Sequence, residues 1–235
     1  MNGGPGFLQG FAAALQGLRL VFRPGLRRFV AIPFLINLIV FSVAIFWGAD
    51  RVESFVGHML PSWLNWLRWL LVPLFLLTMA IVIFYSFTII ANLLGAPFNG
   101  LLAEKTEMLL RGEQAVPPVT WMSLLKDVPK LILTEGRKLL YLVAWSIPLL
   151  LLFLIPGINL LAPFLWALFG MWMLALQYTD YPMGNHGIGF AQAKHVLRRH
   201  RRLALGFGAG ILLLTFIPVL NFLAMPAAVA GATAL

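Results

Sequence analysis

The amino-acid sequence predicts an all-α integral membrane protein with two long transmembrane helices, two half-penetrating (re-entrant) helical hairpins and an N-terminal amphipathic helix. Three observations carry that reading. The 235 residues are 61% hydrophobic and 11% charged, with a mean hydropathy of +0.91, far from the composition of a soluble domain. Two stretches, Phe29–Ala49 and Trp69–Ala103, contain no charge at all. Two further apolar stretches are each divided near their middle by proline and asparagine.

Each charge-free run exceeds the roughly 20 residues needed to cross about 30 Å of hydrocarbon. Lipid offers backbone amides no water, and continuous rather than alternating apolarity selects helices over barrel strands. The spans are expected at 27–55 and 64–111 within a single membrane domain, 1–235. The first run is too long for a signal-peptide core and lacks a small-residue cleavage site, and is expected to remain as an anchor. Of the 17 Lys and Arg residues, four precede the first run, Arg51 and Arg68 lie between the two, and eleven follow the second. The excess of positive charge inside then puts both termini in the cytoplasm and the Asp50–Arg68 loop outside. Trp47, Trp63, Trp66 and Trp69 surround that loop, where headgroups meet water.

Ahead of the first span, within 5–24, Phe7, Phe11, Leu15, Leu18 and Phe22 fall on one helical face and Gln9, Gln16, Arg19 and Arg23 on the other. That pattern predicts a helix lying on the inner leaflet. Downstream, Ile155–Pro163 echoes Ile217–Pro226. The arms flanking the second copy, Leu203–Ile217 and Asn221–Leu235, reach only about 22 Å at 1.5 Å per residue. Hairpins turning within the membrane are therefore expected at 120–178 and 188–235, with a conventional six-span arrangement as the alternative.

The net charge of +9 belongs first to topology. No base-stacking platform or nucleic-acid motif accompanies it, which argues against nucleic acid as a partner. There is no cysteine, hence no disulfide or thiolate metal site. A nucleotide-binding P-loop is missing too. Asp180, Asn185 and His186 supply too few ligands for a metal and have no nucleophile beside them. They are read as a turn joining the hairpins, and no cofactor, metal or enzymatic activity is expected.

Arg23-Pro24-Gly25-Leu26-Arg27-Arg28 precedes the first span. A helix start offers free N–H groups and a positive dipole end to an anion, and arginines add paired donors for tetrahedral oxygens. Gly25 lets the backbone approach closely. The competing reading is that these arginines only set orientation. On the second long helix Tyr85, Thr88, Asn92, Asn99 and Thr106 form a polar stripe, either a watery path or contacts between helices. Glu104, Glu107 and Arg111 follow at the membrane edge, as a gate or as a plain i,i+4 ion pair between the last two. The basic run Lys194–Arg202 suits anionic headgroups or an anion-attracting vestibule.

Several stretches taken in order resemble the CysZ family of bacterial sulfate permeases: Pro24–Phe29, Ala96–Glu104, Ile155–Pro163, Gln177-Tyr178 with Asp180-Tyr181-Pro182 and Asn185-His186, and Ile217–Pro226 with Gly231–Ala234, while Gly184 departs from the family pattern. The resemblance implies an inner-membrane sulfate permease that serves cysteine biosynthesis and assembles as a homo-oligomer among membrane lipids. It further implies sulfate held at Gly25, Leu26 and Arg27, with Arg28 adjacent. Asn92, Asn99, Glu104, Glu107 and Arg111 remain candidates for the pore and its gate. Passive and proton-coupled transport are both open, as is a scaffold that transports nothing.

Overall fold

A computed structural model describes residues 6–32, 98–112 and 121–235, together with helical positions 35, 38–39, 42–43, 46, 69–70, 73–74, 77–78 and 81; at 121–131 and 219 the description is of backbone alone. Every regular element among the described residues is a helix. The chain forms two compact units, Met1–Val30 with Pro97–Leu235, and Ala31–Ala96. In the second unit the described positions are helical and carry exposed large apolar side chains such as Leu38, Ile39, Phe46, Trp69 and Leu74. The Asp50–Arg68 loop, Trp47, Trp63 and Trp66, and much of both charge-free runs lie outside the described residues.

The first unit contains α1 (Phe7–Val21), α2 (Trp121–Leu151), α3 (Ala162–Asn185), α4 (Phe190–Arg199), α5 (Arg201–Phe216) and α6 (Pro218–Thr233), with a further helical stretch at 98–111. Its core is built from Phe207, Ile211 and Leu214 of α5, Leu176 of α3 and the alanine-rich end of α6.

The expected N-terminal helix is present, and it packs on its neighbours through its small residues. Its buried residues include Gly10, Ala13, Ala14 and Gly17, while Phe7, Leu15 and Phe22 stay exposed. A Cβ on Gly10 would overlap the Leu203 carbonyl oxygen of α5, and one on Gly17 that of Ala227 in α6. From the other side, a Cβ on Gly206 would overlap the Phe7 oxygen and one on Gly231 would crowd that of Ala13. Small residues at three- and four-residue spacing let three backbones approach to contact, the mode that serves where apolar burial cannot drive helices together.

In the first hairpin, α2 runs into 3₁₀ turns at Leu152–Leu154 and Ile158–Leu160, with Gly157 at φ 85° making the corner. Pro163 falls in the first turn of α3, where a missing N–H leaves no bond unmade. Among the described residues, Ile132–Leu154 is the one helix long and apolar enough to cross a membrane. The second hairpin is tighter than expected. Its break is confined to Ile217, which Pro218 holds extended at φ −91° and ψ 111°. Asn221 is thus inside α6, its N–H donating to the Ile217 carbonyl at 2.8 Å. Each arm has 16 residues, or about 24 Å of helix.

The turn expected over Tyr178–His186 is corrected. Helix α3 continues through Pro182 to Asn185. It closes where Gly187 adopts φ 74°, with the Ile188 N–H on the Met183 carbonyl and the Gly187 N–H on that of Gly184, both at 2.9 Å. The proline is tolerated because side chains on this last stretch are held by tertiary partners, described next.

Candidate functional site

The arginine motif forms a loop between α1 and a helix that starts at Arg27. Gly25 sits at φ 92° with nothing within 4 Å of a would-be Cβ, so its requirement is backbone conformation rather than space. Leu26 is buried and pins the loop to the core. The Arg27 Nε–H donates to the Phe22 carbonyl at 2.6 Å, and the Arg28 guanidinium lies 5.1 Å from the Phe29 ring centre. Arg23, Arg27 and Arg28 are exposed, and among the described residues no carboxylate pairs with them. Guanidinium groups fixed at a helix start, with no described carboxylate beside them, are suited to an oxyanion.

The 98–111 helix brings several predicted residues against α3 and α6. Asn99 is buried, and its Nδ2 donates to Tyr181 Oη and faces Met225 Sδ, each at 3.4 Å. Burial pushes the Tyr181 phenol above its ordinary range, keeping it a neutral partner. Asn185 Nδ2 donates to the Gly100 carbonyl at 2.9 Å. Glu107 accepts from both Arg111, at 2.5 Å, and His186 Nε2, at 2.9 Å. The i,i+4 pair is present, therefore, but as one half of a three-residue cluster. Thr106 is buried with its hydroxyl on the Leu102 carbonyl, a local bond rather than a lining group. Glu104 is half-buried and bonds to no described side chain. Asn92, with Tyr85 and Thr88, lies outside the described residues.

Glu107, Arg111 and His186 border a cavity of about 870 Å³, together with Gln9, Thr179 and His200. None of the described hydrogen bonds or ion pairs links this cluster to the Gly25–Arg28 loop.

A second ionic cluster was not singled out by sequence. Lys138 of α2 is buried, with Nζ 2.7 Å from Glu135 Oε1 and 2.8 Å from Asp180 Oδ2. Its ammonium also lies 5.6 Å from the Tyr181 ring centre, and Gln177 Nε2 reaches Glu135 Oε2 at 3.4 Å. Two carboxylates with one ammonium satisfy a charge that could not otherwise be buried. Among the described residues no group of His, Asp and Glu is arranged to hold a metal ion.

The model of one family, described as sulfate transporter CysZ/etoposide-induced protein 2.4, matches residues 13–226. The chain belongs to that family. It is 44% identical over 221 residues to the sulfate transporter CysZ of Pseudomonas aeruginosa strain LESB58, covering 93% of this chain and 90% of the relative. The corresponding proteins of Pectobacterium atrosepticum and Vibrio cholerae are 45% and 42% identical, covering 93% and 96% of this chain and 81% and 92% of their own lengths. For this member of the CysZ/etoposide-induced protein 2.4 family, the matched span includes the Gly25–Arg28 loop, the 98–111 helix, Lys138 and His186.

Proposed function

We propose that the chain carries sulfate across the bacterial inner membrane, along a channel-like path, to supply cysteine biosynthesis. The observation that carries this reading is the 44% identity, over 93% of the chain, to a protein named sulfate transporter CysZ. Sulfate is held at Gly25, Leu26, Arg27 and Arg28, where the exposed guanidinium groups face no described carboxylate. Asn99 and Glu104 line the path, with Asn92 a further candidate from the sequence alone, and the Glu107, Arg111 and His186 cluster gates it. The protein works as a homo-oligomer among membrane lipids with both termini in the cytoplasm. Arms of 16 residues suit a second hairpin that enters the membrane without crossing, since about 24 Å falls short of about 30 Å.

Energetics limit the mechanism. A dianion entering against 100 mV, negative inside, costs about 4.6 kcal/mol, twice the roughly 2.3 kcal/mol per charge. Passive sulfate would thus balance with the interior about three orders of magnitude below the exterior. A channel serves while assimilation keeps internal sulfate low. Proton-coupled symport is the second reading, favoured by one observation, the placement of His186 on Glu107 at 2.9 Å, which sets an imidazole N–H against a carboxylate at the proposed gate.

Uptake of radiolabelled sulfate into liposomes holding the purified chain separates the readings. The channel predicts uptake that stops at electrochemical equilibrium with or without a proton gradient. Accumulation beyond equilibrium under an imposed gradient means symport. Uptake no faster than in empty liposomes means a scaffold that transports nothing.

A further inference from the structure

We propose that the turn joining α4 to α5 is a docking surface for anionic phospholipid headgroups. Arg198, Arg199, Arg201 and Arg202 flank His200 there, all of them exposed. Four guanidinium groups within five residues repel one another, and among the described residues no carboxylate pairs with any of them. The nearby Lys194 is engaged differently, 4.9 Å from the Tyr141 ring centre and 5.8 Å from that of Phe190. Among the described residues, nothing supplies these arginines with an anion.

What surrounds them identifies the anion as lipid. Helix α4 turns Phe190, Ala193 and Leu197 into the core and leaves its basic end outward. The first turn of α1 runs against the start of α5, Gly10 on Leu203 and Gly206 on Phe7. Beside the arginines it therefore presents Leu8, 79% exposed, and Phe7, 43% exposed. Apolar side chains next to a cationic strip match the boundary between acyl chains and anionic headgroups. A free oxyanion has no use for the apolar half of that surface. This inference does not depend on what the chain transports, because lipid association is measured without flux.

The test uses the full chain in liposomes, with spin-labelled phosphatidylglycerol and phosphatidylcholine compared for residence at the protein surface. Phosphatidylglycerol is expected to be preferred at low salt, and the preference to shrink as salt rises. Each arginine near an anionic surface is worth at most about fivefold. Replacing all four by glutamine (R198Q/R199Q/R201Q/R202Q) should abolish most of the preference, and R198Q/R199Q should remove part of it if the fourfold variant does not fold. Equal residence of the two lipids around the parent chain overturns the proposal, as does a preference unchanged in the variants. It fails also if inorganic sulfate displaces the lipid where sodium chloride of equal ionic strength does not, for the surface is then an oxyanion site.

Discussion

Glu107 meets His186 across 79 residues of chain, with Oε2 2.9 Å from Nε2. The carboxylate only accepts, so that imidazole nitrogen carries the hydrogen. Arg111, one turn further along the same helix, holds the other carboxylate oxygen. Glu107 is thereby the hub that ties the 98–111 helix to the end of α3.

If that hub closes the path, Glu107→Gln raises sulfate flux into liposomes severalfold. Its effect on stability stays within about 1 kcal/mol, because Arg111 and His186 are half-exposed and such pairs contribute little. Unchanged flux with unchanged stability removes Glu107 from the gate.

The three-helix contact of α1, α5 and α6 makes the opposite prediction. Gly10→Leu drives a side chain into the Leu203 carbonyl oxygen, and a backbone atom cannot rotate aside. The cost is at least about 3 kcal/mol, the upper part of the range for overpacked sites, read as a lowered melting temperature in detergent. Gly136→Ala is the control. It lies within α2 with open space around it, and should be neutral or stabilise by up to about 1 kcal/mol.

Much of this architecture was legible beforehand. Pro156 with Asn159 marked one break and Pro218 the other, although Asn221, its expected companion, is helical, and the 3.6-residue period of 7–22 marked α1. The packing face of α1 was not, because five large apolar residues drew attention from Gly10, Ala14 and Gly17. The signal that reveals it is small-residue spacing, repeated at Gly206 and Gly210, which meet Phe7, Phe11 and Ala14. The path of α3 past Pro182 was hidden for a different reason. Asp180, Asn185 and His186 read as a turn, and what keeps the chain helical is tertiary: Asp180 on Lys138 and Asn185 on the Gly100 carbonyl. The partners of Glu107 and Lys138 divide the same way. Arg111 and Glu135 are one turn off and visible from spacing, while His186 and Asp180 lie on another helix and leave no periodic trace.

Lys138→Met leaves the mostly buried Asp180 without its counter-ion. Removing one partner of a buried pair costs about 3–5 kcal/mol, seen as a large drop in melting temperature. Adding Asp180→Asn should restore much of it, whereas no recovery in the double variant means the pair is not what Lys138 stabilises.

At Gly25 a β-carbon meets no atom but must accept φ 92°. Gly25→Ala therefore costs about 1–2 kcal/mol of backbone strain, lowering the melting temperature by several degrees, and sulfate affinity should fall about tenfold. Gly25→Asn, better able to adopt positive φ, should lose less. Equal affinity in all three chains disconnects the loop conformation from the anion.

The most direct test is calorimetric titration of sulfate into the detergent-purified chain and into a variant carrying Arg27→Ala and Arg28→Ala. The account predicts saturable heat for the parent and none for the variant, with helical circular dichroism the same in both. A parent that takes up no sulfate, or a variant that takes it up as tightly as the parent, contradicts it.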